Sequence, residues 1–324
     1  MELLLEMLQW KRPGTGDFAT AMFAEKYLRP VFGAPDEYGN YVRIVKGDNE
    51  PQPNLCFAAH YDTVHHEGGF QKVEVINNVV SLKDKEDSNC LGADCTTGIF
   101  LILEMIEAGI SGVYVIHADE ESGCQGSGAL VKSEPEWMFH VDAVISFDRY
   151  GEDSIITHQM GIRTASDTFA KSFADMLGIP SLKPDSGGVY TDSNEYAEIV
   201  SECTNISVGY YKQHSKFETQ DLVFLERLRE ALLNADWSKL VFARDPSITE
   251  FDRYDNKYDW WEDERTGMQK EIWEKQDLLE LILAAPEDLA DFFYNRNITA
   301  AELAEEAGID PSLYLSQYLK REVM

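Results

Sequence analysis

Basic residues are scarce in this chain: 28 lysines and arginines stand against 58 aspartates and glutamates, a formal net charge of −30 over 324 residues. A surface this acidic repels nucleic-acid phosphate and anionic membranes, so neither is expected as a partner. Long apolar runs are missing too, and none approaches the roughly 20 residues needed to span a bilayer. The cysteines at 56, 90, 95, 124 and 203 form no CxxC pair. Their odd number suits reduced thiols in a cytoplasmic protein better than a disulfide framework. Neither a GxxxxGK phosphate loop nor a dinucleotide fingerprint occurs, although GCQGSG at 123–128 is glycine-rich. There is no internal repeat and no low-complexity tract. The opening MELLLEMLQW carries Glu2 and Glu6 without a basic n-region, so it reads as an amphipathic helix rather than a signal peptide.

What is present favours a large core. Apolar residues make up 44% of the chain, with 16 Phe, 15 Tyr and 6 Trp. The length suffices for one large α/β domain and an appendage. Strand patterns at 41–45, 54–60, 112–118, 142–147, 154–159 and 204–211 alternate with helical patterns at 16–32, 95–109, near 126–134, 166–178 and 220–237. Asp17 is placed to cap the first of these helices, and Asn77-Asn78 to turn a hairpin over 73–82. Such alternation predicts a three-layer α/β/α fold around a mostly parallel mixed sheet. Composition shifts near 239. The reading is a main α/β domain over 1–238, an acidic linker over 239–266 and a small helical appendage over 267–324. From Lys239 onward 20 acidic residues outnumber 10 basic ones, so the helix–turn–helix pattern at 298–319 suits protein docking or self-association, not DNA.

Three adjacent carboxylates, Asp119, Glu120 and Glu121 in HADEESG, follow the 112–118 strand pattern. Adjacent like charges repel unless something positive lies among them. Other candidate ligands fall at comparable places: His60 and Asp62 after one strand, Asp94 where a helix begins, Asp148 after 142–147 and His214 after 204–211. The carboxyl ends of parallel strands gather along one edge, where such folds bind ligands. Two histidines with several carboxylates there suit zinc, with manganese or cobalt as alternatives. Taken singly, Asp94 reads as a helix N-cap, Asp148 as a loop acid and each histidine as a structural residue. Their shared placement at strand ends favours a metal site. His65 and His66 read as loop residues, and His117, His140 and His158 as structural.

The ordered motifs HYDTV, GADCTTG, DEESG, SFD and HSKFE resemble the co-catalytic di-zinc exopeptidase superfamily, of the leucyl-type aminopeptidase and glutamate-carboxypeptidase kind. The likeness spans about residues 16–238. It implies two divalent metal ions, bridged by Asp94. His60 and Glu121 would each bind one of the two metals, and Asp148 and His214 would complete the two shells. It further implies Glu120 as general base and Asp62 as the support of His60. Glu120 and Glu121 would diverge as neighbours in extended chain do. A cis peptide is implied between Asp94 and Cys95, where that superfamily often has Asp or Asn instead of Cys95. Cys95 and Cys124 place soft thiols near the site. Only 65 residues separate Asp148 from His214, so the dimerisation domain that carboxypeptidase-type members insert there is missing.

The reading that follows is a metal-dependent aminopeptidase acting on peptides or small amino-acid conjugates. An N-acyl-amino-acid or dipeptide amidohydrolase, and a non-catalytic scaffold with the same fold, are the alternatives. In the loop 183–198, Asp192 is a candidate partner for a substrate ammonium, and Gly187 and Gly188 permit close backbone approach. Arg149 is a candidate for a substrate carboxylate or for neutralising the acidic rim.

Overall fold

The computed structural model describes residues 1–47 and 54–248, all within the first of two units, Met1–Asp255. Seven strands form the main sheet: β1 (Tyr41–Val45), β2 (Leu55–His60), β5 (Gly112–His117), β6 (Ala143–Arg149), β7 (Ser154–Ile156), β8 (Lys183–Asp185) and β9 (Glu202–Ser207). They lie in the order β8-β7-β9-β6-β2-β5-β1. The four central strands, β9, β6, β2 and β5, are parallel, and β1 closes one edge antiparallel. β7 also runs antiparallel to β9. The expected mostly parallel mixed sheet is present.

Side-chain alternation assigns the layers. On β2, Leu55, Phe57 and Ala59 join the larger core with Ile99, Phe100 and Ile102 of helix α4 (Ala93–Glu107). Phe224, Leu225 and Leu228 of α8 (Leu222–Leu233) belong to the same core. Cys56 and Ala58 face the opposite layer, with Leu130 of α5 (Gln125–Lys132) and Tyr196, which ends α7 (Asp192–Glu195). Because both faces are covered, β2 is buried at every position and reads as an apolar run from Leu55 to Ala59. Gly98 lets α4 lie close to β6, since a Cβ there would strike the carbonyl of Phe147. No helix among the described residues is long and apolar enough to cross a membrane.

A second sheet of four strands, in the order β10-β11-β4-β3, comprises β3 (Val73–Ile76), β4 (Val79–Leu82), β10 (Tyr210–Tyr211) and β11 (Thr219–Asp221). Asn77 and Asn78 turn its hairpin with φ of 52° and 63°, as a two-residue primed turn requires. His214 lies in the loop joining β10 to β11.

Three expectations are modified. Residues 154–159 break at Thr157, whose N–H donates to Asp185 O and whose carbonyl accepts from Thr164 and Ala165; His158–Gln159 then pairs with Ile162–Arg163 instead. Residues 204–211 divide at Gly209, which takes φ +91°. The first helix starts at Phe18 under the cap of Asp17, but passes through a π-helical turn at Ala24–Leu28. Beyond the 3₁₀ turn Trp237–Lys239, residues that composition groups with the acidic linker are tied to the domain by Arg244. The linker past 248, the helical appendage and the helix–turn–helix pattern lie outside the described residues.

Candidate metal centre

His60 ends β2, and Asp148 lies one residue from the end of β6, so the parallel register brings both to the carboxyl edge of the sheet. Asp94 lies in the first turn of α4 nearby, two residues after Gly92 at φ +72° and joined to Cys95 by a cis peptide. Glu120 and Glu121 follow β5. His214 reaches in from the second sheet with φ +59°.

These side chains converge. Asp94 Oδ1 lies 3.1 Å from His60 Nε2, while Asp94 Oδ2 lies 3.3 Å from His214 Nε2. Asp148 Oδ1 is 3.5 Å from His60 Nε2, and Glu121 Oε1 is 3.1 Å from His214 Nε2. Glu120 Oε2 is 3.9 Å from His60 Nε2. All five sequence-predicted ligands therefore meet in one cluster, with Glu120 beside it.

Asp62 holds two parts of this cluster together. Its main-chain oxygen lies 3.1 Å from His60 Nδ1 and its Oδ1 3.4 Å. The same carboxylate accepts the N–H groups of Glu120 at 3.1 Å and Glu121 at 3.0 Å. The two glutamates do not sit in extended chain. Asp119 takes φ +52°, and Glu120 O accepts from Gly123 and Cys124, so a tight turn sets where each points. Asp119 itself binds Thr15 N at 2.9 Å.

Other supports were not legible in advance. Glu218 accepts from the amides of Leu91, Gly92 and Asp94 at 2.9, 2.8 and 3.1 Å. It belongs to the same HSKFE stretch as His214, which is the signal that could have singled it out. Thr191 Oγ1 donates to Asp148 Oδ2 at 2.7 Å, and the Tyr210 hydroxyl to Oδ1 at 3.3 Å. Arg12, fully buried, donates to the carbonyls of Tyr61 and Gly92 beside two of the ligands. His65, expected in an open loop, is buried between Thr63, Gln71 and Cys90. His117 is buried too, against Asn40 and Tyr196.

The substrate-loop candidates divide. Asp192 is buried, accepts from Ser127 Oγ on Oδ1 at 2.6 Å, and leaves Oδ2 with no hydrogen-bond partner. Arg149 is engaged internally, with Nη2 donating to Gly187 O at 3.0 Å and lying 3.8 Å from Asp185 Oδ2, over the Tyr150 ring. The close approach at Gly188 is to His158 and Ile156. Cys95 and Cys124 are buried, and Cys124 Sγ lies 3.6 Å from Glu120 Oε1.

The electrostatics call for a cation. Burial, with Asp148, Asp192 and Glu121 nearby, pushes Glu120 well above the usual carboxylate range. Burial and Asp94 raise Glu121 to about 7, and the same two causes raise Asp148. Asp94 goes the other way: burial opposes it, but contacts with His214 and His60 hold it low. Burial would lower His214, yet Asp94 and Glu121 raise it to about 11. Glu121 Oε1 is buried without a hydrogen-bond partner despite the nearby His214. Imidazole nitrogens and carboxylate oxygens at these spacings fit divalent zinc-like ions, which would relieve the crowding of acids.

Residues 40–183 match peptidase family M28. That segment holds His60, Asp94, Glu120, Glu121 and Asp148, and His214 follows it. Among solved structures, aminopeptidase PepT from Bacillus cereus has a TM-score of 0.56 at 14% identity, covering 73% of this chain and 96% of its own. A tripeptidase from Staphylococcus aureus has a TM-score of 0.57 at 16% identity, covering 72% and 95%. An aminopeptidase from the archaeon Desulfurococcus kamchatkensis has 0.55 at 16%, covering 72% and 92%. No curated protein matches the chain. The α/β fold is borne out, and the likeness to co-catalytic metal exopeptidases is borne out as a match of residues 40–183 to the M28 peptidase family.

Proposed function

We propose that this chain is an aminopeptidase with two divalent metal ions, most readily zinc, that removes an N-terminal residue from peptides or small amino-acid conjugates. The observation that carries the reading is the division of Asp94, whose two oxygens each face a different histidine. One position would be held by His60, Asp94 and Asp148, the other by Asp94, Glu121 and His214. When bound, such ions lower the pKa of a coordinated water and polarise the scissile carbonyl. Glu120 takes a proton from the attacking water and returns it to the leaving amine. Asp62 fixes both the His60 ring and the Glu120–Glu121 amides. Asp192, with its free buried oxygen, is the acceptor for the substrate ammonium. The named activities of the similar folds support an aminopeptidase, as does the short segment between Asp148 and His214.

Two measurements test this. Metal content per chain is expected near two equivalents, falling in Asp94→Ala. A panel of free-amine and N-blocked substrates should show cleavage of the free amines alone. Cleavage of blocked substrates would replace the aminopeptidase with an amidohydrolase, and failure to take up metal would leave a non-catalytic scaffold. Residues 267–324 are proposed as an appendage for protein docking or self-association.

A further inference from the structure

Cys95 stands where the resembled superfamily often has an acid or amide, and its surroundings are those of a donor. His60, Cys95 and Asp148 offer ligand atoms that all lie within 4.8 Å of one another, a second group beside His60, Asp94 and Glu121. Cys95 has no exposed surface. Its Sγ donates to Phe147 O at 3.1 Å, the carbonyl just before Asp148. A Cβ at Gly98 would lie 2.6 Å from Sγ, so glycine one turn along α4 keeps the thiol's space open.

We propose that Cys95 supplies a sulfur donor to the metal position framed by His60 and Asp148, and so selects zinc, cobalt or cadmium over manganese or magnesium. The inference rests on the two-metal reading above. Soft thiolate favours thiophilic ions, whereas a set of only imidazole and carboxylate discriminates less. Ligation breaks the S–H bond and forms a sulfur–metal bond; the proton leaves to solvent, and Phe147 O loses its weak donor. The competing explanation is a small apolar side chain filling space beneath β6. It predicts no sulfur on the metal.

The test is cobalt(II) titration of the chelator-treated full-length protein. Visible ligand-field absorption reports occupancy whatever the donors, and a near-ultraviolet sulfur-to-cobalt charge-transfer band reports thiolate. The band is expected in the wild type and in Cys124→Ser, and is lost in Cys95→Ser while the visible absorption remains. The zinc-to-manganese affinity ratio should fall by about tenfold or more in Cys95→Ser, the scale seen on losing even an outer-shell partner. If Cys95→Ser fails to fold, the wild-type band and the cadmium-113 resonance of the wild type still decide. Bound cobalt without the band, or a band that survives Cys95→Ser, overturns the sulfur donor alone. No cobalt uptake at all removes the metal centre and this inference with it.

Discussion

Glu218 Oε1 accepts the backbone N–H of Asp94 at 3.1 Å, so the loop that carries His214 also holds in place the residue His214 faces. The same carboxylate satisfies Leu91 and Gly92, and burial with Asp94 nearby raises it to about 7. Replacing Glu218 with Ala leaves three amides without their acceptor. A loss of about 3 kcal/mol is expected, given about 1–3 kcal/mol for each buried donor left unmade and partial rescue by water. Zinc affinity should drop about tenfold, because Asp94 loses its orientation. Urea unfolding and a zinc competition titration measure the two. A folded Glu218→Ala protein with unchanged zinc affinity would show that Asp94 is placed by other contacts.

Glu120→Gln is the variant expected to separate catalysis from metal binding. Glu120 stands beside the cluster, 3.9 Å from His60, and is not among the five proposed ligands. Glu120→Gln should therefore keep its metal content and lose about 10²–10⁴-fold in kcat, the usual worth of a positioned general base. Retained activity in a metal-loaded Glu120→Gln protein would send the search for the base elsewhere.

The convergence of His60, Glu120, Glu121 and Asp148 was legible because they stand at or after the carboxyl ends of parallel strands, whereas Asp94 comes from a helix start and His214 from a loop of the second sheet. Asp17 and Asn77-Asn78 announced their cap and turn in the same local way. What stayed hidden depends on contacts far apart in the chain. His65 looks like loop sequence, but residues 6 and 25 positions away bury it. Glu218 serves amides more than 120 positions earlier. Arg12 carries no local signal of burial, yet its guanidinium lies over Phe23 at 4.1 Å with no exposed surface. Periodicity reads which face a residue occupies, and it carries no information about a partner on a distant element. The turn that separates Glu120 from Glu121 was likewise invisible, because Asp119 owes its left-handed conformation to a context that includes Thr15.

His65 makes stability pH-dependent. Burial, with Arg12 close by, lowers it to about 4. An unfolded chain takes up this proton below about 6.5, whereas the native state resists until about 4. The neutral ring therefore stabilises the fold fully above about pH 6.5, and that contribution is lost as pH falls toward 4. The loss is about 3 kcal/mol at most. Urea midpoints measured in chelator at roughly pH 7 and pH 4.5 should differ less in His65→Gln than in the wild type. Equal differences would place the acid sensitivity on other groups.

Arg244 decides where the domain ends. Its guanidinium donates to the carbonyls of Arg163, Ala197, Val200 and Ser201. The amides of Ala243 and Arg244 meet Glu202 Oε1 at 2.7 and 3.0 Å, and Glu202 is fully buried. Leu240 belongs to the main core, and Phe242 lies 5.8 Å from Phe169. Arg244→Ala in the full chain should cost about 2 kcal/mol, since hydrogen bonds from a charged group are worth about 1.5–3 kcal/mol but this one is partly solvated. A chain ending at residue 248 should keep wild-type stability in this domain. One ending at 238 should lose about 4 kcal/mol, adding roughly 2 kcal/mol for the uncovered Leu240. Thermal unfolding of the three proteins checks the order. If the chain ending at 238 is as stable as the one ending at 248, the acidic segment begins at 239, as composition alone suggests, and the Arg244 contacts contribute nothing to the fold.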